Sequence, residues 1–291
     1  MLKQIPDTLT VKVHGTIPPS RFWGYYTWQE IDQIAKADPN ATAVLSVGAV
    51  EQHGPHLPLI TDSLVGPEIL GAALARLPDD AMVLGLPPTV YGKSVEHEEW
   101  PGTITYSGDT LRAVMMDIAK SVARAGFSKL VLLGSHGGNN GIIDDYFRDL
   151  KMATGLRVFK IHLGGIGNVP GLTTPEEAAV AMHGGDSETS AVRHLAPELV
   201  QMDRAEGWLY SAEGDVGYSF KGQDAIEAWV SADLSQTGAI GNPHPSAPEK
   251  GKIAVEAKIA RLAELLEAIY RQPKREIFVA PSSTPVEAAV S

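Results

Sequence analysis

Residues 47–62 read VGAVEQHGPHLPLITD. The stretch leaves an apolar run at 43–48 and ends where a helical pattern begins at 63–76, so it is the connecting loop of a strand-to-helix unit. Further apolar runs at 82–86, 130–134 and 157–163 have the same short, continuous character, which suits strands covered on both faces. Between the second and third runs lies a helical pattern at 109–125. Leu111, Val114, Met115, Ile118 and Val122 recur there at helical spacing, and Gly126 is a fitting stop. A helix at 142–153 presents Ile143, Phe147 and Leu150, and one at 249–270 presents Ile253, Ile259, Leu262, Leu266 and Ile269. This alternation predicts an α/β fold, a three-layer sandwich whose mostly parallel sheet is flanked by helices.

The 291 residues read as a single domain over 1–271 with a tail or arm over 272–291, rich in Pro, Ser and Ala. Two long stretches rich in Gly, Pro and polar residues, 164–181 and 208–248, read as functional loops. Apolar residues make up 44% and charged residues 20%, the balance of a packed globular protein. A net charge of -11 argues against nucleic acid as a partner, because polyanion binding needs clustered Lys and Arg. The chain has no cysteine, which excludes thiolate ligands and a thiol nucleophile. No membrane-spanning stretch or apolar leader is evident, and a cytoplasmic protein is expected.

Three clusters carry chemistry. In the first, Glu51 and His53 stand two apart and Gly54-Pro55 bends the chain back toward Asp62. Oxygen and nitrogen donors on one loop suit Zn, Mn or Fe. Singly, Asp62 reads as a helix N-cap rather than a ligand, and His53 or His56 as an ordinary loop histidine. The second cluster, LVLLGSHGGNNG at 130–141, releases His136 at the end of a strand, before a glycine pair that permits positive φ and close approach. A plain tight turn would need only the glycines. The third, MHGGDSETS at 182–190, offers His183 and Glu188, although Glu188 could simply complement a helix dipole. Thr189 and Ser190 are poor helix formers with no evident reason to sit there.

Together these segments resemble the creatininase family: Gly-x-x-Glu-Gln-His-Gly-Pro-His-Leu-Pro ending in Thr-Asp, His-Gly-Gly-Asn, and His-Ala-Gly-x-x-Glu-Thr-Ser. WPGTITYSGDTL and GAIGNPHPSAPEKGK look like two more family segments, so the resemblance spans about residues 44–251. It implies two divalent metal ions (Zn, Mn or Fe) at the carboxyl edge of the sheet, bridged by Asp62. Glu51 and His136 would complete one site, and His53 with a further carboxylate the other. In creatininase proper that carboxylate closely follows the His-Gly motif, where this chain has Gly138, so Glu188 is the expected substitute. His183 matches the family's catalytic histidine and, with Glu188, is the expected catalytic pair. His97, in SVEHEEWPGT, and Asn139 are expected at the substrate, with a surface-loop role the alternative for His97. The family's paired tryptophans are not evident. The resemblance also implies a homohexamer.

The expected activity is hydrolysis of a carbon-nitrogen bond in a small cyclic amide or formamide by a metal-activated water. Cleavage of another activated carbonyl, such as a cyclic polyol ketone or lactone, is the runner-up. A catalytically silent binding protein on the same fold is the third reading.

Overall fold

The computed structural model describes residues 15–209, 218–221 and 225–273. Four parallel strands form the central sheet: β1 (Thr42–Val47), β2 (Val83–Gly85), β3 (Lys129–Gly134) and β4 (Arg157–His162), in the order β2-β1-β3-β4. Every side chain of β1, β2 and β3 is buried, which is why these segments read as unbroken apolar runs. Only the edge strand β4 is half-exposed.

The helices in chain order are α1 (Trp28–Ala37), α2 (Thr61–Ala75), α3 (Gly108–Arg124), α4 (Asn140–Thr154), α5 (Pro175–Val180), α6 (Asp186–Leu195), α7 (Ser231–Leu234) and α8 (Pro248–Arg271). Residues Tyr218–Ser219 (β5) and Ala225–Ile226 (β6) form a minimal second pairing. Helix α8 packs along α6 and α2, and α3 packs on α4. The core joins Leu45, Leu70, Leu74, Leu111, Met115, Leu132, Leu262 and Leu266, all with no accessible surface.

Helix α1 is absent from the sequence expectations. It is opened by a reciprocal capping box in which the Thr27 side chain accepts from the Glu30 backbone and Glu30 accepts from the Thr27 backbone. The two expected loops contain α5 and α7, short helices of six and four residues. Of the expected tail, residues 274–291 lie outside the described residues.

The strand order decides where the site lies. The connection after β1 moves outward to β2, whereas the one after β3 moves the opposite way to β4. The loops at the carboxyl ends of β1 and β3 therefore part at a switch point, which is where open α/β sheets bind ligands. The register pairs Val47 with Gly134, so the loops carrying Glu51 and His136 leave the sheet side by side.

Candidate active site

The loop after β1 is folded back by the hydrogen bond from the Glu51 amide to the Leu59 carbonyl (2.9 Å). Gly54 makes the sharp turn at φ +73°, a backbone angle that costs a side-chain-bearing residue free energy. This return brings α2 to the strand end with Asp62 in its first turn. Asp62 is not the cap: the N-cap is Ile60, and no side chain caps the helix. Its carboxylate faces two imidazoles instead, with Oδ1 3.6 Å from His53 Nε2 and Oδ2 3.1 Å from His136 Nδ1.

His136 also lies 3.3 Å from Glu51 Oε2. The glycines after it form a single tight turn, and among the described residues neither adopts the positive φ that the sequence allowed. Asn139 is fully buried. Its Nδ2 donates to the Gly48 carbonyl (2.9 Å) and its Oδ1 accepts from the Lys93 amide (2.9 Å). The amide expected at a substrate thus clamps two loops together by satisfying a backbone group on each.

The third cluster is held by backbone pairing. His183 and Ile240 exchange two hydrogen bonds, N to O at 3.1 Å and 2.7 Å, which hang the 182–190 loop on the 239–241 segment. Helix α6 starts after Gly185, so neither Asp186 nor Ser187 is its cap. Glu188 turns back so that Oε2 accepts from the Gly184 amide (2.6 Å). Thr189 and Ser190 now have reasons: Thr189 Oγ1 meets His56 Nε2 at 2.9 Å, and Ser190 Oγ bonds Asp186 Oδ1 (3.0 Å) and the Ala247 amide (3.1 Å). His56 therefore ties the first cluster to the third, a role no local spacing signals.

Three groups of donors result: Glu51, Asp62 and His136; His53, His183 and Glu188; and Glu51, His97 and His183. Within each, one atom per residue lies within 4.8 Å of the others, close enough to share a cation. His97 is buried, not a surface-loop residue. Its ring stacks on that of His183 (centroids 3.9 Å apart), and its Nε2 lies 3.6 Å from Glu51 Oε1. His53 covers the other side of His183, at 4.1 Å. Trp229, from the second long loop, stands edge-on to His97 at 6.5 Å, an approach that local sequence does not signal.

Glu51 Oε1 and Oε2, His53 Nε2 and Asp62 Oδ2 are buried without a hydrogen-bond partner. Leaving such atoms bare costs about 1–3 kcal/mol each, so a buried set aimed at common points fits a cation. The electrostatics agree. Burial pushes the Glu51 carboxyl up to about 8 despite His136. Burial depresses His53 and His136, but the surrounding carboxylates outweigh it and hold them protonated to about 10 and about 9. Burial likewise opposes ionisation of Asp62, and the two imidazoles overcome it and hold that carboxyl well below its usual range. Burial, with His53 second, pushes His183 well below its ordinary value and His97 down to about 3. Burial raises Glu188. Without a metal, the cluster shares protons where divalent ions would satisfy the same atoms.

Beside the cluster opens a cavity of about 400 Å³ whose lining includes Asp62, His183, Glu188, Leu163, Met182 and Lys221. It collects residues from both long loops, as expected of substrate-contacting segments.

A parallel sheet with buried carboxylates and imidazoles gathered at its carboxyl edge is an α/β scaffold with a candidate metal centre where such sheets bind ligands. The family model described as creatinine amidohydrolase matches residues 24–266, and the chain belongs to the creatininase family, whose members are amidohydrolases. It is 27% identical over 214 residues to the mycofactocin precursor peptide peptidase of Mycobacterium ulcerans (strain Agy99), covering 72% of this chain and 78% of that protein. It is 31% identical over 207 residues to the creatinine amidohydrolase of Pseudomonas putida, covering 64% and 75%. Solved creatinine amidohydrolase (creatininase) superposes with a TM-score of 0.70 at 25% identity, over 87% of this chain and 99% of that one. A structure titled Creatininase Mn gives 0.71 at 24% identity and agrees in fold.

Proposed function

We propose that this chain is a metal-dependent amidohydrolase that cleaves a carbon-nitrogen bond, with Glu51, His53, Asp62, His136 and Glu188 as ligands for two divalent ions of Zn, Mn or Fe. The observation that carries the reading is the convergence of partnerless buried atoms on Glu51, His53 and Asp62. Asp62 has one oxygen toward His53 and one toward His136, the disposition a bridging carboxylate needs. Glu188 keeps one oxygen on the Gly184 amide, which leaves the other for the group it forms with His53 and His183. When bound, the metals supply Lewis acidity that brings a water's pKa toward neutrality and polarises the scissile carbonyl.

The chain's own contribution to proton movement centres on His183. Its Nε2 donates to the Gln52 carbonyl, which leaves Nδ1 as the open lone pair, 3.6 Å from Glu51 Oε1. Burial keeps this ring neutral, so Nδ1 can accept a proton during attack and return it to the leaving nitrogen. Gln52 also donates from Nε2 to His97 Nδ1 (2.9 Å), fixing the ring stacked on His183.

The substrate is proposed to be a small cyclic amide or formamide held in the cavity beside Asp62, His183 and Glu188. A second reading, the end of a peptide, is favoured by the similarity to mycofactocin precursor peptide peptidases and by a cavity of about 400 Å³. A panel of cyclic amides, formamides, lactones and short peptides assayed with the Zn, Mn and Fe forms tests the proposal. Turnover of amide substrates by metal-loaded protein is expected. Turnover of lactones alone, or full turnover by metal-free protein, would overturn it.

A further inference from the structure

Glu96 lies in the single helical turn Val95–His97, before α3, and its carboxylate enters the site from the side. Its Oε1 is 3.5 Å from His136 Nε2. The space it uses is that of an absent side chain: a Cβ on Gly138 would come within 2.0 Å of Glu96 Oε1, 2.5 Å of His136 Nε2 and 2.6 Å of the Lys93 carbonyl oxygen. Residue 138 can be nothing but glycine while Glu96 stands there.

The tautomer of His136 follows from its neighbours. Nε2 lies 2.9 Å from the Lys93 carbonyl oxygen, which can only accept, so Nε2 carries the hydrogen. Ser94 Oγ lies 3.4 Å from the same nitrogen. Nδ1, facing Asp62 Oδ2, is then the nitrogen left to a metal once binding expels its proton. A ligating histidine whose other ring nitrogen donates to a carbonyl or carboxylate is oriented and made more basic by that partner.

We infer that Glu96 is the outer carboxylate partner of His136, admitted by the bare Gly138, and that it is a positioning residue that strengthens the hold of His136 on its metal. The inference rests on the metal-dependent reading above. Two features separate this role from simple space filling. Glu96 supplies a carboxylate from outside the proposed ligand set to a nitrogen that already meets the Lys93 carbonyl and, at 3.3 Å, Glu51 Oε2, and its access depends on Gly138, two residues after His136 in the same turn.

The test measures metal rather than turnover. Wild type, Glu96→Gln and Gly138→Ala are loaded with zinc, the metal-to-subunit ratio is read by elemental analysis, and zinc retention is read by competition with a chelator of known affinity. Glu96→Gln keeps the size of the side chain and removes the charge, so its expected effect is retention at one position about 10- to 100-fold weaker. Gly138→Ala displaces the carboxylate and also meets His136 Nε2, so it is expected to lose at least as much, and the double variant to lose no more than Gly138→Ala alone. Should Gly138→Ala fail to fold, Glu96→Gln decides the matter. Wild-type retention in Glu96→Gln overturns the assignment, and additive losses in the double variant overturn its dependence on Gly138. A wild-type chain that holds no zinc, manganese or iron overturns the metal reading itself, and this inference with it.

Discussion

His183 shows how one residue's surroundings set its chemistry. Stacked between His53 and His97, hydrogen-bonded through Nε2 and fully desolvated, it is kept neutral with one nitrogen available. His183→Ala is expected to leave the metal content of the cluster in place and to lower kcat at least about a hundredfold, the usual cost of losing a general acid or base. Elemental analysis beside steady-state kinetics checks this, and a retained rate with intact metal would remove His183 from the mechanism. Glu188 separates differently. If its carboxylate served only the Gly184 amide and the helix dipole, Glu188→Gln would cost at most about 1 kcal/mol and leave the metal ratio unchanged. The expected outcome is loss of one metal position and collapse of turnover in a protein that still folds, read by elemental analysis and circular dichroism.

Among the elements, α8 does the least chemistry and the most holding. It packs along α6, which carries Glu188, and against α2, which carries Asp62. Its carboxyl end is fastened by Lys129 on β3, whose Nζ shares its three hydrogens among the carbonyls of Ile269 (2.9 Å), Tyr270 (2.7 Å) and Gln272 (2.8 Å) and Asn40 Oδ1 (3.0 Å). The buried lysine thus serves the last carbonyls of the helix, which have no partner within it. Lys129→Met keeps the stem and strips the donors. It is expected to cost about 2–3 kcal/mol in chemical denaturation while the zinc-to-subunit ratio stays at the wild-type value. The order of the strands is equally consequential. With Val47 beside Gly134 in register, the first and second clusters meet because β1 and β3 are neighbours, not because their sequences are close.

For the whole molecule, proton and metal binding are one equilibrium. In the metal-free state His53 and His136 keep their protons until about pH 10 and about pH 9. Metal uptake at neutral pH must therefore expel protons, and affinity should fall as pH drops and rise toward pH 9–10. Isothermal titration with zinc at pH 7, in two buffers of different ionisation enthalpy, is expected to show net proton release. A buffer-independent heat would contradict it. Chelation is expected to abolish turnover, with Zn, Mn or Fe restoring it. The chain is also expected to assemble as a homohexamer, and a monodisperse monomer in solution scattering would contradict that.

By itself the amino-acid sequence determined the strands, because residues buried on both faces must be continuously apolar: 43–48, 130–134 and 157–163 each lie within about one residue of an observed strand end. It also singled out the residues proposed to carry the chemistry, because Glu51, His53, Asp62, His136, His183 and Glu188 stand in dense motifs of ligand-type side chains. The Thr27-x-x-Glu30 spacing that opens α1 was also legible, a capping-box signal missing from the expectations, whereas nothing local marked the burial of His97. Only the tertiary structure decided what each residue does with its freedom. Asp62 turns to two imidazoles rather than capping α2, Asn139 bonds the Gly48 carbonyl and the Lys93 amide and so clamps two loops, and Glu96 takes the room that Gly138 leaves. The physical reason is that helix and strand periodicities are local, whereas the partner of a buried polar atom is chosen by which loops the strand order brings together.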